Sequence, residues 1–223
     1  MKEKINKSLD ILQDALKAGE AAAFSSSMGM EDQVLAHMIV SNRLPISIFT
    51  LDTGRLPPET YSLITATEAF LKTQIHIYFP DYQEVEQYVR INGIDGFYQS
   101  RSQRLDCCQV RKVNVLKRAL SGKTAWITGI RREQSSDRQD IAEMEFDATY
   151  QLMKANPLVE WSTNDINAYV NDYAIPVNPL HHEGYLSLGC APCTRPIKAG
   201  EPLRAGRWWW EADAIKECGL HTK

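Results

Sequence analysis

Five cysteines are the residues of this chain whose type and spacing most directly suggest chemistry. Cys107 and Cys108 are adjacent in DCCQVRK, and Cys190 and Cys193 form the C-x-x-C of GCAPCTRP. A C-x-x-C pair is a common ligand pair for zinc or for an iron–sulfur cluster. Zinc sites seldom use adjacent ligands, whereas a larger cluster accepts two neighbouring thiols from the first turn of a helix, whose dipole favours thiolates. The two pairs therefore predict a metal centre and argue mildly against zinc.

The fifth cysteine, Cys218, lies in KECGLHTK at the end of the chain, close to His221. In a reducing compartment, an odd number of cysteines favours metal binding or catalysis over a disulfide framework. The N-terminal stretch MKEKINKSLDILQDALKAGE is charged throughout and lacks the apolar block of a signal peptide. No apolar run approaches the length of a membrane span. We therefore expect a cytoplasmic protein that does not bind a membrane.

Two polar loops are candidates for binding a nucleotide. SSSMGMED, residues 25–32, joins a predicted strand to a predicted helix, and its hydroxyls, its glycine and the helix N-terminus suit a phosphate. A simple helix-capping turn is the alternative. LDTGRLPPET, residues 51–60, follows the next predicted strand, where it either exposes backbone groups to a nucleoside or only turns the chain into a helix.

Basic residues cluster in three segments near these motifs. The net charge of the chain is −3, so no global basic field attracts nucleic acid, and an anionic ligand needs a local cluster of cations. Arginine suits bidentate binding of phosphate or sulfate, whereas a solvated surface is the alternative for any single residue. The candidates are Arg111, Lys112, Arg131, Arg132, Arg138, Arg195, Lys198, Arg204 and Arg207.

The elements that must position these groups alternate between β-rich and helical patterns. This alternation predicts an α/β fold, with a mainly parallel twisted sheet flanked by helices and with ligands at the carboxyl ends of its strands. An amphipathic helix is predicted near the N-terminus. Predicted strands are 21–26, 46–52, 75–79 and 124–129, with a β-like piece near 144–146, and the other predicted helices are 31–41, 58–72, 82–91, 107–120 and one beginning at 162.

The C-terminal part of the chain has a different character. From residue 178 onward the periodicity fades, which predicts an irregular segment that folds back over the ligand edge of the sheet. We interpret 1–223 as one domain, whose segment from about residue 200 carries Cys218 on a mobile tail. His181 and His182 lack suitably spaced partner ligands and are typical of a loop. Trp208–Trp210 are predicted to anchor the segment in the core, with a partner surface as the alternative.

Seven motifs in one order together resemble one family, the assimilatory sulfonucleotide reductases, and within it the cluster-containing adenylyl-sulfate (APS) reductases. The motifs are SSSMGMED, LDTGRLPPETY, CCQVRK, TGIRREQS, GCAPCTRP, GRWWWE and KECGLH, and they extend from residue 25 to residue 221. The resemblance implies an adenine-nucleotide alpha-hydrolase-like fold of the ATP-pyrophosphatase type. It also implies reduction of APS to sulfite and AMP in sulfate assimilation and cysteine biosynthesis.

The resemblance also implies roles for individual residues. Cys218 is the implied nucleophile, which forms an S-sulfonate that thioredoxin or glutaredoxin discharges as sulfite, and His221 is a candidate for activating its thiol. One [4Fe–4S] cluster per subunit is implied on Cys107, Cys108, Cys190 and Cys193. The implied substrate-binding residues are Ser26, Ser27, Leu51 and Gly129 for the nucleoside, and Lys112, Arg138, Arg204 and Arg207 for the phosphosulfate.

Two departures from the family pattern and three alternatives accompany this interpretation. The serine loop lacks the Ser-Gly-Ala-Glu-Asp of many members, and Arg104 and Asp106 stand where relatives often carry His and Glu. One alternative is reduction of the 3′-phosphorylated substrate (PAPS), or of both nucleotides, although the enzymes specific for PAPS lack the two cysteine pairs. The others are an ATP-pyrophosphatase-type thiolation enzyme, against which the acidic net charge argues, and a non-catalytic zinc module. A homo-oligomer is compatible with all of these readings.

Overall fold

The computed structural model describes residues 1–19, 21–135, 138–211 and 219–220 of the chain. Within these residues the fold is built on one sheet of six strands in the order β3-β2-β1-β4-β6-β5, and only the β5–β6 pair is antiparallel. The prediction of a mainly parallel sheet flanked by helices is therefore confirmed. The strands are β1 (Ala22–Ser26), β2 (Ser47–Leu51), β3 (His76–Tyr78), β4 (Ala125–Ile127), β5 (Met144–Asp147) and β6 (Leu152–Ala155).

The helices begin where the sequence supplies capping groups. The Asp81 carboxylate accepts hydrogen bonds from the first amides of α4, and Ser162 and Asp165 form a reciprocal capping box at the start of α7. Pro58 occupies the first turn of α3, where its missing N–H costs nothing. The helices are α1 (Lys2–Lys17), α2 (Met30–Ser41), α3 (Pro58–Leu71), α4 (Tyr82–Asn92), α5 (Arg101–Cys108), α6 (Asn114–Ala119) and α7 (Thr163–Asp172), and the π-helical turn Gln109–Val113 joins α5 to α6.

The core lies on both faces of the sheet because successive strand residues point to opposite sides. On β1, Phe24 belongs to the larger apolar cluster, which packs beneath α1, α2, α3 and α7. Its neighbour Ala23 belongs to a second cluster on the other face, where α6 packs together with Phe49 and Trp126. No helix among the residues described above is both long and apolar enough to cross a membrane.

The strand order fixes where a ligand can bind. The connection from β1 to β2 leaves to one side, and after β3 the chain returns to pair β4 on the other side of β1. This reversal places a crevice at the carboxyl ends of β1 and β4. The loops that follow β1, β2 and β4 therefore meet at one edge of the sheet.

Several predicted boundaries were wrong. The helix containing the adjacent cysteines begins at Arg101 rather than Cys107, because Ser100 caps it by accepting the amide of Gln103. Cys107 and Cys108 consequently lie at the end of α5, where no N-terminal helix dipole favours their thiolates. Strand β6 was not predicted, since its buried Lys154, whose ammonium lies 5.1 Å from the Trp126 ring, masks the apolar pattern.

The tryptophan prediction was correct for part of the motif. Trp208 is buried as a core anchor, with 1% of its surface exposed, in a third apolar cluster that also contains Phe97. Trp210 is partly buried against this cluster. Trp209, by contrast, is 39% exposed, so it does not anchor the segment in the core. The motif therefore docks the C-terminal segment through two of its three indoles.

Candidate active site

A large cavity of about 490 Å³ lies at the carboxyl ends of β1, β2 and β4. We call it the sheet-edge cavity. Its walls come from the serine loop, the end of β2, the loop after β4 and the C-terminal segment. All eight residues predicted to bind substrate line it: Ser26, Ser27, Leu51, Lys112, Gly129, Arg138, Arg204 and Arg207.

The serine loop is held in shape by its own hydroxyls. The indole N–H of Trp126 donates to the Ser25 hydroxyl at 2.7 Å, and the amide of Met28 donates to the Ser26 hydroxyl at 3.1 Å. Met28 itself has a positive φ of 62°, an uncommon conformation for a residue other than glycine. The loop is therefore a preformed turn that leads into the N-terminus of α2.

A buried carboxyl group closes the floor of the sheet-edge cavity. Asp32 accepts hydrogen bonds from both the amide and the hydroxyl of Ser27, each at 2.6 Å. Burial raises the pKa of this carboxyl to about 7, although the Ser27 hydrogen bonds act in the opposite direction. A Cβ at position 129 would overlap the Asp32 carboxylate, so Gly129 is required for this close approach.

Two arginines that the sequence offered as candidates are held by protein partners. Arg131 is 3% exposed, and it donates two hydrogen bonds to one oxygen of Glu31 and one to Glu133. Arg132 donates two hydrogen bonds to the carbonyl of Ile141. Both guanidinium groups therefore belong to the scaffold of the loop after β4.

Glu31 and Asp32 also line the sheet-edge cavity, although the sequence patterns did not assign either residue to the site. The available signal was the acidic pair directly after the serine loop. His181 and His182, which we interpreted as loop residues, lie in the 3-10 turn Pro179–Glu183 and also line the cavity. The ring of His181 hydrogen-bonds to the carbonyl of Tyr185 at 2.8 Å, which fixes its orientation.

The four paired cysteines surround a second, smaller cavity, which we call the cysteine cavity. Cys107 and Cys108 reach it from the end of α5, and Cys190 and Cys193 reach it from either side of a single 3-10 turn. Arg104, Arg111, Lys112 and Trp208 complete much of the wall. Lys112 lines both cavities, so they are neighbours.

The environments of the four thiols differ. Burial raises the pKa of Cys193 to about 12, with the nearby charge of Cys190 acting in the same direction. Burial also acts to raise the pKa of Cys190, but the charge of Lys112 and the Thr53 hydroxyl, 3.2 Å from the sulfur, bring it below its ordinary value. A cationic wall thus favours a thiolate at this position.

No three Cys, His, Asp or Glu side chains converge closely enough to hold a single metal ion in the part of the chain that the structure describes. All four paired cysteines line the cysteine cavity. Cys218 and His221 lie outside the described residues. Leu220, which stands between them in sequence, lines the sheet-edge cavity.

Comparisons with known proteins identify the family of the chain. Residues 21–196 match the family model described as the phosphoadenosine phosphosulfate reductase domain. A protein of Allochromatium vinosum named adenosine 5′-phosphosulfate reductase is 48% identical over 215 residues, which cover 96% of this chain and 84% of the relative. A protein of the same name from Sinorhizobium fredii is 52% identical over 201 residues, covering 90% of this chain and 80% of the relative.

Solved structures resemble the fold. A phosphoadenylyl-sulfate reductase from Candida auris, in a phosphate complex, has a TM-score of 0.72 and 26% identity, covering 84% of this chain and 90% of that one. A Candida glabrata FMN adenylyltransferase has a TM-score of 0.58 at 15% identity, with coverage of 96% and 76%, and therefore shows the fold alone. The expected adenine-nucleotide alpha-hydrolase-like fold is confirmed.

Proposed function

The chain belongs to the phosphoadenosine phosphosulfate reductase domain family, and from this premise we propose that it reduces adenosine 5′-phosphosulfate (APS) to sulfite and AMP. It is accordingly an oxidoreductase that acts on a sulfur group. The observation that carries the proposal is the meeting of all eight predicted substrate-binding residues in one cavity, which adjoins the four paired cysteines. The name shared by relatives about half identical to this chain supports the same activity.

In this proposal the sheet-edge cavity holds the nucleotide. The serine loop and the backbone at Leu51 and Gly129 contact the nucleoside at the switch point of the sheet. The phosphosulfate carries negative charge on both phosphorus and sulfur oxygens, and the cations of the opposite wall bind it by charge-assisted hydrogen bonds. Those cations are Lys112, Arg138, Arg204 and Arg207.

The proposed nucleophile is Cys218. Its thiolate attacks the sulfur of the sulfate group, so that an S–S bond forms while the S–O bond to AMP breaks and AMP leaves. One thiolate of a dithiol carrier, thioredoxin or glutaredoxin, then attacks the Cys218 sulfur and expels sulfite. The second carrier thiol resolves the mixed disulfide, so the carrier supplies both electrons and Cys218 is regenerated. His221 is proposed to assist formation of the thiolate.

The donor set of the cysteine cavity fits a four-thiolate iron–sulfur cluster. In such a cluster each of four thiolates binds a different iron, so four cysteines around one cavity supply its complete ligand set. Cys107, Cys108, Cys190 and Cys193 would hold the group, which leaves Cys218 as the remaining thiol of the chain. When bound, the cluster supplies a redox-active, charged group in the cavity that Lys112 also lines.

Free thiols and a dithiol carrier both require a reducing compartment, so we propose a cytoplasmic location.

Reduction of the 3′-phosphorylated nucleotide is the second candidate, favoured by the description of the family and by the Candida auris structure. Its extra phosphate adds about two negative charges. Two cations near the loop after β4, Arg131 and Arg132, are not assigned to the phosphosulfate. Both are already bound to protein partners. We therefore expect the nucleotide without the 3′-phosphate to be the better substrate.

The test measures sulfite release from each nucleotide with reduced thioredoxin, for the wild type and for Cys218→Ser. We expect a higher kcat/KM with APS than with PAPS. The variant should produce no sulfite, yet bind APS and keep the iron content of the wild type. Recovery of the SO₃ adduct on one of the four paired cysteines would overturn the assignment of the nucleophile. A preference for PAPS would overturn the assignment of the substrate.

A further inference from the structure

A buried ion pair joins α5 to the C-terminal segment. The guanidinium of Arg104 donates from Nε and Nη2 to the two carboxylate oxygens of Glu211, each at 2.8 Å. The exposed fractions of the two side chains are only 1% and 7%. Removing two charges from water is costly, but a two-point contact of this kind fixes the orientation of the guanidinium plane.

The indole of Trp208 connects this ion pair to the sheet-edge cavity. The central carbon of the Arg104 guanidinium lies 4.5 Å from the Trp208 ring, and that of the Arg207 guanidinium lies 4.6 Å from it. Both distances are those of cation–π contacts, which strengthen when the groups are removed from water. All three side chains are almost fully buried, with 5% or less of each residue exposed. The ring therefore contacts a cation from each cavity.

The backbone holds the indole in place. The amide of Trp208 donates to the carbonyl of Cys193 at 3.2 Å, and the amide of Glu211 donates to the carbonyl of Trp208 at 3.0 Å. Trp208 has a positive φ of 42°, which is strained for a side chain of this size. Such a conformation persists only when the surrounding contacts determine it, and the Arg104 guanidinium supplies one of these contacts.

The Trp208 ring is one of several contacts that hold the Arg207 guanidinium. Its Nη1 donates to the carbonyl of Leu188 at 2.8 Å and to the Ser187 hydroxyl at 3.5 Å, and the guanidinium packs closely on Gly189. Its Nε has no hydrogen-bond partner among the residues that the structure describes. The contact with Trp208 is thus one restraint on the position of the guanidinium. Because both guanidinium groups lie against the Trp208 ring, a change at Arg104 can alter the position of Arg207 through the indole.

We propose that Arg104, oriented by Glu211, is a positioning residue that acts through Trp208 to hold Arg207 at the angle needed to bind the nucleotide anion. The inference rests on the proposed function, because Arg207 acts on the phosphosulfate there. It assigns a role to an arginine that the resemblance to the family left without one. A change in the wall of the cysteine cavity at Arg104 then alters the binding of an anion by Arg207 in the sheet-edge cavity.

The test measures the dissociation constants of AMP and adenosine for Arg104→Met, Glu211→Gln and Trp208→Leu. Each variant should weaken AMP binding by about tenfold, as expected for loss of a desolvated cation–π contact. Adenosine binding should be unchanged, because adenosine has no anion for Arg207 to hold. Trp208→Phe, which keeps an aromatic ring, should retain most of the AMP affinity.

A second ion pair provides the control. Arg195 and Glu201 form a similar two-point contact on the same segment, with both hydrogen bonds at 2.9 Å, but the two side chains are 30% and 29% exposed. Arg195→Met should leave both dissociation constants unchanged. The melting temperature and the iron content of every variant show whether it has lost structure in general. If Arg104→Met loses iron, Trp208→Leu is the variant that tests the proposal.

The outcomes separate this proposal from the previous one. Unchanged AMP binding in folded Arg104→Met and Trp208→Leu would overturn the positioning role alone. Equal losses of AMP and adenosine affinity would also overturn it, because the pair would then only maintain the fold. A wild type that binds neither AMP nor APS would overturn the proposed function as well.

Discussion

The sheet-edge cavity and the cysteine cavity are neighbours, but they are built in different ways. Three walls of the sheet-edge cavity follow strands β1, β2 and β4, so its position is a consequence of the strand order. The cysteine cavity is enclosed between the end of α5 and an irregular segment, and long-range side-chain contacts such as Arg104–Glu211 hold its walls together. The first cavity thus depends mainly on backbone geometry, and the second mainly on side chains.

The largest expected effect tests whether the cysteine cavity depends on its side chains. Cys193→Ser should remove iron and colour from the purified protein and lower sulfite formation by about a hundredfold or more, because one thiolate ligand of the proposed cluster is lost. The sheet should stay folded, since the cysteine cavity lies outside the two large apolar clusters. Iron analysis, sulfite assay and far-ultraviolet circular dichroism check this result.

Ala191→Ser is the matched control for that substitution. It adds the same hydroxyl group to the same 3-10 turn, at an exposed position, and keeps all four thiols. Iron content and activity should equal those of the wild type. Stoichiometric zinc in an active, colourless wild-type protein would contradict the proposed cluster directly.

The next effect tests the cations that line the sheet-edge cavity. Arg204→Ala or Arg207→Ala should lower kcat/KM for APS by about ten- to a hundredfold, the amount expected for one charge-assisted hydrogen bond. Iron content should be unchanged by Arg204→Ala. Steady-state kinetics with thioredoxin measure the effect. Arg132→Ala is the control, because its guanidinium is bound to the carbonyl of Ile141. Wild-type activity in the Arg204 and Arg207 variants would contradict their role in binding the anion.

A smaller effect tests whether backbone geometry governs the sheet-edge cavity. Gly129→Ala should destabilise the protein by about 1–3 kcal/mol, because the new methyl group overlaps the Asp32 carboxylate. In an Asp32→Ala background the same substitution should cost much less, since the overlapping atoms are gone. Urea unfolding of the wild type, the two single variants and the double variant gives the coupling free energy between positions 32 and 129. Equal costs in both backgrounds would mean that the overlap is not the cause.

The same difference explains which parts of the two cavities could be predicted from the sequence. Strands β1, β2 and β4 followed from local periodicity, and parallel strands expose their carboxyl ends together. The eight substrate-binding residues followed from the resemblance. The four thiols were visible as two pairs. Arg104 and Glu211 were not, because 107 residues separate them and no local pattern records a pairing at that distance. The buried Lys154 hid β6 for a similar reason, since only its tertiary contact with Trp126 explains its position.

The smallest expected effect concerns the charge of Asp32 in the sheet-edge cavity. Burial raises the pKa of this carboxyl to about 7, so it is largely neutral below that pH and negatively charged above it. The new charge repels an anion in the same cavity, and APS affinity should therefore fall about two- to fivefold as the pH rises through about 7. Cys218→Ser, which should bind APS without turnover, allows the dissociation constant to be measured from pH 6 to pH 8 by calorimetry.

Other groups on the cavity wall also carry charge, so the assignment needs a second variant. Glu31, held by Arg131, lies beside Asp32, and its negative charge acts to raise the Asp32 pKa. His181 faces the same cavity, but burial lowers its pKa, so it is already neutral near pH 7. Adding Asp32→Asn to Cys218→Ser should flatten the pH dependence, because the amide accepts the Ser27 amide hydrogen bond without ionising. By linkage, APS must lower the acid dissociation constant of Asp32 by the same factor, and so raise its pKa. A fall in affinity that persists in the double variant would assign the pH dependence to another group.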